Sequence, residues 1–134
     1  MTTLRFDPRL NLIVLNVESR YQVRHTIRMA LDTASTFSAL APDAATRLGF
    51  DLSQVKSRQT IATASQTLTL PQVTVPAVTL GTKTIGDLLF LIMPLPLPLG
   101  VKGLLLGLNF MRHFKVAPDF EQGILSLEHL PHLH

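Results

Sequence analysis

Cysteine and tryptophan are absent from this chain of 134 residues, which also has only one tyrosine. Without cysteine the chain can form no disulfide, no thiol nucleophile and no cysteine-based zinc site. Charged residues make up 16% of the sequence and hydrophobic residues 46%, a balance that excludes a mainly disordered, charge-rich chain. We therefore expect a single domain with a substantial hydrophobic core.

A dense basic patch and a long apolar run are missing as well. The formal charge is only +3, the basic residues form no dense cluster, and only one Tyr and no Trp are present for base stacking, so we expect no nucleic-acid partner. The most apolar uncharged run, residues 88–101, is interrupted by prolines and is shorter than the ~20 apolar residues of a membrane helix. No membrane association is therefore expected. Because the first residues do not resemble a secretory leader, we expect a cytoplasmic protein.

Motifs for cofactor-dependent enzymes and for other hydrolases are also missing. The chain has no phosphate-binding P-loop, no Gly-x-Gly-x-x-Gly segment, no Gly-x-Ser-x-Gly elbow and no His-Glu-x-x-His pair. We interpret His129, His132 and His134 as part of a frayed tail and not as metal ligands. The sequence thus predicts neither a cofactor nor a metal ion.

Extended segments dominate the pattern that is present. Alternation of apolar and polar residues predicts a strand over residues 10–17, a polar hairpin around residues 18–20 and a second strand over 23–31. A helix is predicted over Pro42–Leu48, since proline suits a first helical turn and Gly49 suits the C-terminal cap. The other expected elements are a helix over 108–113 and short strands over 58–62, 67–70, 73–80, 84–92, 104–106, 114–116 and 124–127. Many short strands predict an all-β protein, a closed or partly open β-barrel.

Asp32 is the most informative residue of the chain. It lies at the end of an apolar strand-like run and is followed by Thr33, Ala34, Ser35 and Thr36. An ionised carboxylate is costly to bury unless it is paired or hydrogen-bonded, so its position suggests a placed group. The alternative is an Asp that only caps the turn after its strand.

These residues resemble the signature of single-domain, retropepsin-like aspartic proteases. That family carries Asp-Thr/Ser-Gly-Ala/Ser after an apolar strand, and residues 32–35 read Asp-Thr-Ala-Ser. The similarity continues through residues 37–49 and reaches the family's second landmark, an apolar pair followed by glycine, at Leu105, Leu106 and Gly107. Residues 114–127 resemble the family's ending. The resemblance implies one retropepsin-like acid-protease domain over 1–134, with a core of about 10–129 and a C-terminal His-containing tail.

The resemblance also implies a catalytic mechanism. Asp32 would be the catalytic carboxylate, and two identical chains would each supply one Asp at a homodimer axis, where the pair activates a water. Thr33 would link the two active-site loops through its hydroxyl, and Ser35 would hydrogen-bond the outer oxygen of Asp32. The expected substrate is an extended peptide or protein segment.

A flap and an apolar loop complete the expected cleft. Residues 58–68 match the flap that folds over bound peptide, with Ala62, Thr63, Ala64 and Ser65 at its tip and Ile61 as a further substrate-binding residue; an ordinary surface hairpin is the alternative. Residues 95–99 are expected to form a stiff apolar loop near the cleft or the partner chain.

The sequence departs from the family at two places. Ala34 stands where the family has glycine, and the flap tip also lacks glycine. Glycine suits close backbone approach because it has no Cβ. These departures favour the alternative function, a catalytically weak or inactive dimer that binds peptides or mediates assembly.

Overall fold

The computed structural model describes residues 1–62, 64–94 and 104–131 of the protein. Its described residues form mainly β-strands. In chain order these are β1 (Thr2–Arg5), β2 (Val14–Arg20), β3 (Arg24–Leu31), β4 (Ser38–Leu40), β5 (Arg58–Ala62), β6 (Thr67–Leu80), β7 (Lys83–Ile92), β8 (Leu105–Leu106), β9 (Phe114–Asp119) and β10 (Ile124–His129). Two short helices, α1 (Pro42–Leu48) and α2 (Leu108–Met111), and a 3-10 turn at Leu52–Gln54 complete the described structure. The all-β prediction is confirmed.

The larger sheet closes on itself. Its strand order is β2-β3-β8-β4-β7-β6-β5, and a further pairing of β2 with β6 joins the two sides. This closed barrel encloses the main core, in which Phe90, Phe110, Met29 and Leu40 are fully buried. Closure of the sheet leaves few open strand edges. It therefore holds β3, which leads to Asp32, between its neighbours β2 and β8.

A second, three-stranded sheet joins the two ends of the chain. Its order is β1-β10-β9, and Thr2 pairs with Leu127. Strand β1 precedes the 10–129 core that the sequence suggested, so paired structure already begins at Thr2. The four residues of this strand show no apolar alternation that would predict it. The strand forms because it pairs with β10, near the other end of the chain.

Helix α1 forms as its residues predict. Pro42 occupies the first turn, Asp43 lies in the same turn, and Gly49 ends the helix in a left-handed conformation with φ of 107°. Proline lacks an N–H that the first turn could not use, and glycine adopts positive φ without steric cost. The buried face of α1, which includes Ala45 and Leu48, packs into the main core.

The hairpin expected around residues 18–20 lies elsewhere. Strand β2 continues to Arg20, and the turn occupies residues 21–23. Residues 18–20 pair on one side with β3 and on the other with β6. Ser19 is fully buried between these strands. Long-range pairing therefore keeps this polar segment extended, against its local turn preference.

The two strands expected over 67–70 and 73–80 form one continuous strand, β6. Pro71 and Pro76 lie within it, and the strand changes partners near the first of them. Residues 67–71 pair with β5, while residues 72–80 pair with β7. Proline cannot donate to the ladder, but one strand that belongs to two pairings tolerates it at such a junction.

Some expectations fall outside the described residues. These are Thr63 in the flap tip, the apolar loop at 95–99, and His132 and His134. His129 was expected in a frayed tail but is the last residue of β10. Within the described ranges, no helix is long and apolar enough to cross a membrane.

Candidate active site

Asp32 lies where β3 meets the second landmark. The end of β3 runs parallel to β8, with Ala30 opposite Leu105 and Leu31 opposite Leu106. The backbone N–H of Asp32 donates to the Leu106 carbonyl at 3.0 Å. The two segments that the sequence singled out, more than 70 residues apart, are therefore hydrogen-bonded neighbours.

Asp32 is a half-buried residue whose carboxylate is held by the following turn. The backbone N–H of Ala34 donates to Asp32 Oδ1 at 2.9 Å. Among the described non-glycine residues only Asp87 and Leu104 have positive φ, so Ala34 makes this bond from an ordinary backbone conformation. The methyl group of Ala34 therefore does not prevent backbone support of the carboxylate. An Asp with a purely structural role makes the same kind of turn, so the bond alone does not identify a catalytic group.

Ser35 and Thr33, the two hydroxyl residues predicted to support the active site, differ in their contacts. Ser35 Oγ donates to the Phe37 carbonyl at 2.6 Å and not to Asp32, so the predicted bond to the outer carboxylate oxygen is absent from the described structure. A carbonyl two residues ahead in the same turn is nearer to this hydroxyl and satisfies it. Thr33 is exposed, and its expected contact would be with a second chain.

Gly107 lies against the loop that follows Asp32. A Cβ built on Gly107 would lie 2.3 Å from the Phe37 carbonyl oxygen and 2.8 Å from that of Ser35. At the same junction Leu108 N–H donates to the Ser35 carbonyl at 2.8 Å, and Asn109 N–H donates to that of Thr36 at 3.2 Å. This close backbone approach leaves room only for glycine and explains the glycine of the second landmark.

Ser38 and Asn109 belong to this site, although the sequence pattern assigned them no role. Gly107 N–H donates to Ser38 Oγ at 3.0 Å, and Ser38 Oγ in turn donates to Asn109 Oδ1 at 2.7 Å. Asn109 Nδ2 donates to the Leu89 carbonyl at 2.9 Å. The available signal was a serine within the apolar 37–41 segment, since a buried hydroxyl needs partners.

Asp32 opens onto a cleft of about 470 Å³ that the β5–β6 hairpin also lines. From the hairpin come Thr60, Ile61 and Ala62, of which Ile61 and Ala62 were predicted to bind substrate. The remaining lining residues are Ala34, Ser35, Thr36, Phe37, Ser38, Ala39, Leu91, Met93 and Leu105. The described flap residues Ala64 and Ser65 are exposed and do not line the cleft, and neither do Thr33, Leu106 and Gly107.

Comparison with known proteins assigns this chain to a family. Residues 17–110 match the family model described as aspartyl protease. The chain belongs to the aspartyl protease family. The matched segment includes Asp32, the flap hairpin and Gly107.

The fold of this aspartyl protease family member is retropepsin-like. It is similar to the crystal structure of a retropepsin-like aspartic protease from Rickettsia conorii, with a TM-score of 0.70 and 24% sequence identity. The match covers 94% of this chain and 88% of that chain. No curated protein matches the chain significantly.

Charge in the cleft of this family member is concentrated on Asp32. Among the described lining residues it is the one ionisable group. The ion pairs found in the described ranges, Arg9 with Asp7 and Arg24 with Glu18, involve none of the lining residues. Within those same ranges no group of three or more His, Asp and Glu side chains could hold a metal ion. The chemistry of the site therefore centres on one carboxylate.

Proposed function

We propose that residues 1–134 form one subunit of a homodimeric aspartic endopeptidase in which the two Asp32 carboxylates meet at the dimer axis. One observation carries this proposal. The Asp32 carboxylate, held by the Ala34 N–H at 2.9 Å, opens onto a cleft that the β5–β6 hairpin also lines. A turn-capping Asp with no further role needs no such cleft.

A second chain is required because the described part of the cleft has only one carboxylate. Peptide hydrolysis by this class needs a carboxylate that accepts a proton and a carboxylic acid that donates one. Two carboxyl groups in contact resist double ionisation and share one proton, as aspartic proteases do. Two identical chains about a two-fold axis supply such a pair, because the axis places the same residue opposite itself.

The shared proton defines the chemical steps. A water between the carboxyl groups attacks the scissile carbonyl carbon and gives a proton to the ionised carboxylate. The protonated partner gives its proton to the carbonyl oxygen, and a tetrahedral diol forms. The C–N bond then breaks as the leaving nitrogen takes up a proton from one carboxyl group and a diol hydroxyl returns a proton to the other, so that the products are a carboxylic acid and an amine and the pair again holds one proton.

The cleft suits an extended peptide. An added strand between the β5–β6 hairpin and the floor near Leu105 would gain backbone hydrogen bonds along its length. Phe37, Leu91 and Met93 make part of the lining apolar. Closure of a flap over the peptide would exclude water from the reacting carbonyl.

Replacement of Asp32 by asparagine tests the active-site assignment. Asp32→Asn keeps the oxygen that accepts the Ala34 N–H but removes the ionisable group, so peptide cleavage should disappear while the fold persists. Asp51→Asn is the matched control, because Asp51 Oδ1 accepts the Ser53 N–H at 3.1 Å in a similar turn outside the cleft. Equal cleavage by both variants would exclude Asp32 as the catalytic group.

Mixed subunits test the pairing. If each active site needs one Asp32 from each chain, equilibration with an equal amount of Asp32→Asn protein should reduce cleavage per parent chain to about half, because half of the parent chains then have an Asp32→Asn partner.

Sedimentation at micromolar concentration should show a dimer. In an active parent the rate should pass through a maximum as pH changes, because only the singly protonated pair works. A monomer that cleaves peptides, unaffected by Asp32→Asn protein, would contradict the pairing.

Inactivity of the parent protein would favour the alternative function. A dimer that binds peptides in this cleft but cleaves none, across a peptide library and from acidic to neutral pH, would be a binding or assembly module. Ala34 and the glycine-free flap tip are the sequence features that favour it.

A further inference from the structure

Three consecutive hydrogen bonds connect the second landmark to β4 and β7, and we name them the Ser38–Asn109 relay. The relay leads from the Gly107 N–H to Ser38 Oγ, from Ser38 Oγ to Asn109 Oδ1, and from Asn109 Nδ2 to the Leu89 carbonyl. The direction is determined by the chemistry. Ser38 Oγ accepts from an amide N–H, so its single hydrogen goes to Oδ1, and the amide nitrogen of Asn109 must then face the Leu89 carbonyl.

The relay joins three parts of the cleft. Ser38 begins β4, directly after the loop that follows Asp32; Asn109 lies in α2, after the second landmark; and Leu89 lies in β7, two residues before the cleft residue Leu91. Ser38 is fully buried, so water cannot replace its two partners. Gly107 follows Leu106, whose carbonyl accepts the Asp32 N–H. Movement of the Gly107 amide would therefore be transmitted to the backbone of Asp32 through one peptide unit.

We infer that Ser38 and Asn109 are positioning residues for the Asp32 carboxylate. They hold the junction of β8 and α2 at a fixed distance from the Asp32 loop, and through Leu89 they hold that junction to the strand that supplies Leu91. This inference rests on the proposed function, since positioning matters only if Asp32 reacts. Neither side chain acts on the reacting atoms in this assignment.

The chain offers a matched pair of serines for the test. Ser38 and Ser19 are both fully buried in strands. Ser38 Oγ has two hydrogen-bond partners, whereas Ser19 Oγ has none within the described structure. Ser38→Ala removes the relay, and Ser19→Ala removes the same atom from an equally buried site without breaking a bond.

Steady-state kinetics measures the positioning effect. We expect Ser38→Ala to lower kcat by roughly 10- to 100-fold, the scale of a small misplacement of a reacting group. KM should stay within about threefold, because the lost interaction concerns the transition state more than substrate binding. Ser19→Ala should leave both constants near the parental values. Asn109→Ala should resemble Ser38→Ala, and the double variant should lose little more than either single variant, because both break one relay.

Amide hydrogen exchange gives a readout that does not depend on cleavage. The Asp32 N–H should exchange faster in Ser38→Ala and Asn109→Ala than in the parent and Ser19→Ala proteins. If the parent cleaves no peptide, the proposed function fails, and the exchange rates alone decide whether the relay positions Asp32. Exchange and kcat in Ser38→Ala equal to those in Ser19→Ala would overturn the inference. Should Ser38→Ala fail to fold, the half-buried Asn109 supplies the deciding variant.

Discussion

Gly107→Ala should destabilise the junction between the second landmark and the Asp32 loop. The added Cβ would lie 2.3 Å from the Phe37 carbonyl oxygen and 2.8 Å from both the Phe37 carbonyl carbon and the Ser35 carbonyl oxygen. All three atoms belong to the backbone, so no side-chain rotation relieves the contact. The loop over residues 35–37 must move away from Gly107, and the turn that holds Asp32 moves with it.

The magnitude follows from sterics and from one hydrogen bond. Gly107 has φ of −99°, which alanine adopts readily, so backbone strain contributes nothing. Overpacking at a tight site costs about 1–3 kcal/mol. Displacement of the loop also stretches the Leu108 N–H bond to the Ser35 carbonyl, now 2.8 Å long, and its loss costs about 1 kcal/mol. We therefore expect the free energy of unfolding to fall by about 2–4 kcal/mol.

Urea denaturation measures this loss, with Gly86→Ala as the matched control. A Cβ at Gly86 would meet only the Pro76 carbonyl oxygen, at an ordinary 3.6 Å. Without a clash, replacing glycine by alanine restricts the unfolded chain and stabilises the protein by about 0.4–1 kcal/mol. Two Gly-to-Ala substitutions in one protein should thus change stability in opposite directions.

Two results would refute the reasoning. If Gly107→Ala is as stable as Gly86→Ala, the loop does not press on Gly107 as the structure indicates. If Gly107→Ala loses stability but retains the full cleavage rate, the junction does not position Asp32. The second result would also weaken the proposed role of the Ser38–Asn109 relay, which is anchored at the same amide.

Two further predictions concern backbone conformation. Ala34→Gly should lower the free energy of unfolding by about 0.4–1 kcal/mol, because Ala34 is unstrained and glycine gains freedom in the unfolded chain. The cleavage rate should stay near that of the parent, since the Ala34 N–H already reaches Asp32; a tenfold faster variant would show that the methyl group crowds the loop. Asp87 has φ of 52° in an exposed part of β7. Asp87→Gly relieves about 1–2 kcal/mol of left-handed strain, which exceeds the cost of about 0.4–1 kcal/mol that glycine adds through the unfolded chain, so the urea midpoint should rise; a lower midpoint would contradict that account.

Local chemistry in the sequence determined several elements in full. Helix α1 begins at Pro42 and ends before Gly49 as expected, because the residues that start and stop a helix act within one turn. Strand β3 also lies where apolar alternation predicted a strand, and β5 has the bounds expected for it. The Asp-Thr-Ala-Ser segment and the second landmark were recognised by resemblance, and the family match confirms the aspartyl protease assignment.

Long-range pairing decided the rest. Strand β4 has only three residues and forms because β7 and β8 flank it, which its own sequence cannot indicate. Ser19 has a turn-like neighbourhood but is buried in β2 by pairing with β6. Such contacts join residues far apart in sequence, so no local pattern predicts them.

The environment of Asp32 shows the same division. The sequence alone determined that a carboxylate follows an apolar strand and that small residues surround it. Only the tertiary structure decided that Ser35 bonds to Phe37, that Ser38 and Asn109 join in a relay, and that Gly107 meets the Asp32 loop backbone to backbone. A hydrogen bond depends on distances of a few tenths of an ångström between segments that only the closed barrel brings together.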